Sequence, residues 1–127
     1  DGADVVGFVR DELDRVGDYH SPMLRLGKRY YLSGLLARLD GEPRPAPAPR
    51  CVALRSHIRI LPDGRVPVCQ FNTKTVGSLR DQSWEEVWLG QDARRQRAWV
   101  DACPGCWAEC EVMPNALYSG DILRAIG

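Results

Sequence analysis

A chain of 127 residues is enough for one compact domain, or a small one with an appendage, and its own core would supply only modest stability. Seventeen basic residues balance seventeen acidic ones, so the charge gives no reason to expect nucleic acid or an anionic membrane as partner. No apolar run approaches the roughly 20 residues that span a bilayer, and DGADVVGFVRDELDR at the N-terminus lacks the basic flank and apolar core of a signal peptide, so a cytoplasmic protein is expected.

Val5, Val6, Phe8, Val9, Leu13 and Val16 recur at helical spacing and predict an amphipathic helix over about residues 3–17, ending at Gly17. A second helix follows, with Ser21 to cap its first turn, Pro22 at its first position and Gly41 past its end. Its apolar set of Met23, Leu24, Leu26, Tyr30, Tyr31, Leu35, Leu36 and Leu39 is wider than one stripe. Such a helix packs against more than one neighbour.

GEPRPAPAP, residues 41–49, puts proline at nearly every second position and forbids both helix and sheet. It reads as an extended, stiff connector, with a boundary between two pieces at residues 41–50. Beyond it, Ile58 and Ile60 alternate before a Pro-Asp-Gly turn at 62–64, and Val66, Val68 and Phe71 form a second extended run. A β-hairpin is predicted, with Gly64 taking the positive φ of the loop and Asp63 serving the turn. It would fold Cys69 back towards Cys51.

Ser83 with Glu86 three residues on is a capping box for a short helix whose apolar face is Trp84, Val87, Trp88 and Leu89. Another helix near Asp92–Val100 leads to Cys103. PNALYSGDILRAIG predicts one or two last helical turns, interrupted at Gly120.

The five cysteines carry the chemistry. Their number is odd and a reducing compartment disfavours disulfides, so ligand chemistry is the first reading. In CPGCWAEC, Cys103 and Cys106 can bind from one turn and Cys110 lies one helical turn further. Cys51 and Cys69 complete a tetrathiolate shell with one thiol to spare. Such a shell suits a structural zinc or an iron–sulfur cluster. A zinc ribbon uses two tight C-x2-C knuckles, and the wide Cys51/Cys69 pair fits a larger inorganic unit better.

These residues resemble a known family. CVALRSHIRILPDGRVPVCQFNTKTVGSLRDQSWEEVW followed by CPGCWAEC is similar to the C-terminal SPASM or twitch extension of radical S-adenosylmethionine enzymes. The likeness lies in the ordered combination of Cys51, the Pro-Asp-Gly turn, Gly64-x4-Cys69, Gly77-Ser78-Leu79, the helix with Trp84-Glu85-Glu86-Val87-Trp88, and the terminal cysteine group. The full SPASM form has seven cysteines and two clusters, so the resemblance implies one auxiliary [4Fe-4S] cluster here. Cys51, Cys69, Cys103 and Cys106 are its preferred ligands, as in the twitch arrangement, and Cys110 can replace one of them.

The catalytic cluster of such enzymes uses C-x3-C-x2-C, and this chain has C-x2-C-x3-C. The site that cleaves S-adenosylmethionine, with its own [4Fe-4S] cluster, is therefore expected in a barrel this chain lacks, and no catalytic residue is assigned. The start at Asp1 agrees with a C-terminal portion of a longer enzyme. The resemblance implies an α+β architecture, a small β-hairpin and short helices around the cluster, preceded by two amphipathic helices like the end of a partial TIM barrel. The expected spans are 1–40 for the barrel remnant, 41–50 for the connector and 51–127 for the cluster domain. Expected partners are the rest of the barrel and a peptide or protein substrate.

Two other readings stay open. One is a zinc-stapled protein-interaction module. The other is a thiol redox protein using Cys103 and Cys106, which leaves Cys51 and Cys69 without a role. Trp84, Trp88 and Trp99 are expected to pack around the cluster, and Trp107 to shield it from water. His20 and His57 are read as loop and surface residues, and Arg94, Arg95 and Arg97 as the solvated face of a helix.

Overall fold

The computed structural model of the chain describes residues 2–126, with side chains from residue 4 onward. Asp1 and Gly127, the outer ends of the expected spans, lie outside the described residues. Among the described residues, five α-helices and one two-stranded antiparallel sheet make an α+β protein, as expected. No helix among them is long and apolar enough to cross a membrane. The chain forms two compact units, Asp1–Pro49 with Trp107–Gly127, and Arg50–Cys106.

In the first unit, α1 (Gly2–Asp14) runs into a 3-10 turn at Arg15–Asp18 and buries Val9 and Val16. α2 (Pro22–Leu39) begins as its sequence predicts: Ser21 Oγ accepts from the Leu24 N–H at 3.4 Å, Pro22 occupies the first position, and Gly41 follows at φ +73°. α2 touches α1 and its 3-10 turn, and also α5 (Glu109–Tyr118) and the closing 3-10 turn Asp121–Ala125. The expectation of several neighbours is met.

The buried face of α2 is not the leucine-rich one. Gly27, Tyr30, Gly34 and Ala37 are buried at spacings of a helical stripe, whereas Met23, Leu24 and Leu39 are exposed. The physical reason is room. A Cβ at Gly34 would stand 2.0 Å from Trp107 Cζ2, and one at Gly27 would stand 3.0 Å from Met113 Cε. The two glycines let those large side chains reach the helix backbone, where close contact gains dispersion energy. Tyr30, Val112, Ala116 and Ile122 form the core there, joined by Leu26, Tyr31, Trp107 and Met113.

α5 starts at Glu109, ahead of the turn or two predicted from Pro114 onward, and carries Pro114 inside it. Cys110 therefore sits in its first turn. Gly120, at φ +77°, interrupts the helical run as predicted. Glu111 and Asn115, one turn apart on α5, are both buried.

The second unit contains the sheet, and here the predicted register is corrected. β1 (Arg65–Pro67) pairs with β2 (Thr75–Ser78), not with the segment of Ile58 and Ile60, which forms no strand. The Pro-Asp-Gly turn is present: the Leu61 N–H donates to Arg65 O at 2.9 Å, the Gly64 N–H donates to Leu61 O at 2.8 Å, and Gly64 has φ +86°. The next rung of that hairpin would need a donor at position 67. Position 67 is proline, so the ladder stops and the strand pairs on its other side. β2 carries one extra residue between its paired positions, a bulge.

α3 (Trp84–Leu89) has its capping box, with Ser83 Oγ accepting from the Glu86 N–H at 3.2 Å and Glu86 Oε2 accepting from the Ser83 N–H at 2.7 Å. α4 (Gln91–Asp101) follows with Ala93 and Val100 buried. The core comprises Ala53, Leu54, Val66, Val68, Cys69, Val76, Val87, Ala93 and Val100. Each valine fully removed from water contributes about 1.5–3 kcal/mol at most.

Candidate metal centre

All five cysteines are thiols, and none is in a disulfide. Four of them, Cys51, Cys69, Cys103 and Cys106, belong to the second unit, while Cys110 lies on α5 in the first. Cys69 is buried as a member of the valine core, and Cys51 packs against that core. Cys103 is half-buried and Cys106 exposed, in the irregular stretch that follows α4. Gly105, between these two thiols, takes φ +88° and turns the chain there.

Cys69 sits in the loop between β1 and β2, and that loop is wound around Asn72. The Cys69 N–H donates to Asn72 O at 3.1 Å, and the Asn72 N–H donates to Cys69 Sγ at 3.2 Å. The side-chain amide is used at both ends: Oδ1 accepts from the Lys74 N–H at 3.2 Å, and Nδ2 donates to Gln96 Oε1 at 3.3 Å. The polypeptide thus aims an N–H dipole at a candidate ligand sulfur.

α4 also reaches the loop that follows Cys51. Arg97 Nε donates to Leu54 O at 2.7 Å, holding a residue in the left-handed region at φ +56°, and its guanidinium lies 4.3 Å from the ring centre of Trp88. Burial is the chief cause that lowers the Arg97 pKa, helped by Arg55 and Arg94. At the end of the helix Asp101 Oδ1 accepts from Arg55 Nε at 2.9 Å. That hydrogen bond holds the Asp101 carboxyl below the usual carboxylate range. One helix therefore ties both thiol-bearing loops and then leads into Cys103.

Two expectations are corrected. Arg97 is not part of a solvated face, since it braces the Leu54 carbonyl, whereas Arg94 and Arg95 are exposed. Trp107 is committed to the helical unit: it stacks on Tyr30 and Tyr31 with ring centres 6.1 Å apart in each pair, donates Nε1–H to Tyr31 O at 3.1 Å, and carries Arg38 3.6 Å from its ring centre. Trp84 and Trp88 stack on each other at 4.9 Å, and Trp99 is 45% exposed. His57 is half-buried and His20 exposed. Asp63 serves the turn as read, accepting from the Arg65 N–H at 3.1 Å and from Arg65 Nε at 2.6 Å.

Asn72 and Gln96 escaped the sequence reading. Asn72 had a signal, an amide side chain two residues before the Lys74 N–H it caps, which is an Asx-turn. Gln96 had none, being one polar residue of an amphipathic helix.

Among the described residues, no three His, Cys, Asp or Glu side chains converge as a single-ion site requires. The donor set itself, four thiols on one compact unit with an amide N–H directed at one sulfur, fits an iron–sulfur cluster.

Comparison with known families agrees with this chemistry. Residues 51–110 match the family model SPASM, described as an iron–sulfur cluster-binding domain. The resemblance to SPASM drawn from the sequence is borne out over that stretch, which begins at Cys51 and ends at Cys110. No curated protein and no solved structure matches the chain.

Proposed function

We propose that this chain supplies the auxiliary cluster domain of a radical S-adenosylmethionine enzyme that modifies a peptide or protein in the cytoplasm, with one [4Fe-4S] cluster held by Cys51, Cys69, Cys103 and Cys106. The observation that carries the reading is the convergence of two features on one unit: four thiols, and the Asn72 N–H donated to Cys69 Sγ. When bound, such a cluster supplies a one-electron redox centre. The chain's own residues hold its surroundings. Cys69 is fixed in the valine core, Asn72 directs an N–H to its sulfur, and Gln96, Arg97 and Asp101 of α4 fasten the two thiol loops.

On this reading residues 1–40 are the end of the parent enzyme's barrel, 41–50 the connector and 51–127 the cluster domain, whose last segment from Trp107 onward packs with the helical unit. S-adenosylmethionine and its own [4Fe-4S] cluster belong to the barrel. The auxiliary cluster either passes an electron to or from the substrate or keeps the substrate site in shape.

The test is the iron, sulfide and zinc content of protein purified without oxygen, with its visible absorption. The expected result is about four irons and four sulfides per chain, lost in Cys69→Ala and kept in Cys110→Ala. One zinc and no sulfide would overturn the reading in favour of a structural staple, and loss of iron in Cys110→Ala would bring that thiol into the ligand set.

A further inference from the structure

Asn72 uses every polar group it has within one loop and one helix. Its backbone N–H and C=O close on Cys69, its Oδ1 on the Lys74 N–H, and its Nδ2 on Gln96 Oε1. The only one of these bonds that leaves the loop is the last. Val68 and Lys74 are bonded across the loop base, the Val68 N–H to Lys74 O at 3.1 Å, so the loop is closed below, and the Asn72 amide ties its tip to α4. Gln96 is half-buried on α4, the helix that Ala93 and Val100 fix into the valine core. A rigid element thus sets the angle of a loop whose amide points at a sulfur.

We infer that Gln96 is a positioning residue for the reduction potential of the bound cluster, acting through the Asn72 side chain to hold the Asn72 N–H on Cys69 Sγ. The inference rests on the iron–sulfur reading above. Its physics is electrostatic. Reduction adds negative charge that spreads onto the thiolate ligands, and an N–H dipole aimed at a ligand sulfur stabilises the reduced form and raises the potential. Removing the Gln96 acceptor frees the Asn72 amide to rotate, takes the cap off the Lys74 N–H, and lets the N–H swing off the sulfur. The oxidised form is affected less, so the potential falls.

The experiment is a potentiometric titration, followed by electron paramagnetic resonance, of oxygen-free wild type, Gln96→Met, Asn72→Ala and the double variant. Iron and sulfide are assayed first in each. Gln96→Met keeps the side-chain volume and removes the acceptor. It is expected to retain iron and sulfide, shift the potential to more negative values and alter the resonance of the reduced cluster. Because Gln96 acts through Asn72, the double variant should shift no further than Asn72→Ala alone. A wild-type potential in iron-replete Gln96→Met, or additive shifts in the double variant, overturns the inference. If Gln96→Met does not load iron, Gln96→Glu, which keeps an acceptor oxygen, must load it. Failure of both assigns Gln96 to folding and also overturns the inference. Wild type without iron and sulfide fails at the assay stage and removes the cluster reading itself.

Discussion

In the helical unit the largest side chain, Trp107, is seated against a bare glycine backbone and gripped by two tyrosines and an arginine. In the thiol unit Trp88 is stacked on Trp84 and carries Arg97, but none of the glycines there is described as seating a tryptophan ring. Its core is valine, alanine, one leucine and a buried cysteine, while Trp84 and Trp99 stay 41% and 45% exposed. The first unit closes on its own side chains. The second has a sheet of two short strands and two short helices, and its loops carry groups whose natural partner is inorganic. Small folds of this kind draw on metal ligation for stability that a core of that size does not provide.

The largest expected effect sharpens that contrast directly. Stripping iron from the reduced protein with a chelator should lower amide protection at Val66, Val76 and Val87 by on the order of 100-fold, ~2.7 kcal/mol, the effect of a ligand at about 100 times its Kd. Tyr30 and Val112 should keep theirs. Hydrogen exchange with and without iron measures both sets, and equal losses would break the comparison.

Next in size is Trp107→Ala. Removing the ring leaves a cavity over Gly34, and the cost should be about 2 kcal/mol, below the range for fully buried rings because Trp107 is half-buried. Urea unfolding followed by signals from Tyr30 and Val112 reads it. An unchanged midpoint would mean that the aromatic stack is ornament to a fold held elsewhere.

The smallest effect is on pH dependence. Burial first, and then the hydrogen bond from Tyr30 Oη to Asp121 Oδ2 at 2.7 Å, raise the Tyr30 pKa above its ordinary value of about 10. A raised folded-state value gives stability that is complete below the unfolded pKa and is lost as pH climbs towards the folded one. The helical unit should therefore be insensitive to this group up to about pH 10 and weaken above it, and Tyr30→Phe should remove that slope. Alkaline denaturation curves of the two proteins decide it.

What was legible in the sequence is what local chemistry dictates. Ser21 with Pro22, Ser83 with Glu86, and Asp63 with Gly64 act where their spacing placed them, because each satisfies backbone groups only a few residues away. The cysteine grouping was legible because thiols are rare and their chemistry is specific.

The misreadings share a cause, since each depends on a partner distant in the chain. Periodicity counts large apolar side chains and is blind to glycine, so the apolar set read for α2 included Tyr30 but missed Gly27 and Gly34 of the buried stripe. Trp107 sits between two candidate ligands in sequence, yet Gly34 and Tyr31 decide where it packs. Gln96 and Asn72 meet across 24 positions, and neither announces the other.

Pro67 decides more than the end of a ladder. Two hairpins compete for the strand that contains it, one closing at Asp63–Gly64 and one closing around Cys69, and its missing N–H handicaps the first beyond its opening rung. A donor at this position would let the chain zip early, over the shorter and kinetically easier loop. The proline withholds that early commitment. Residues 68–74 are left as the loop between β1 and β2, free to wind into the Asn72-centred turn that holds Cys69.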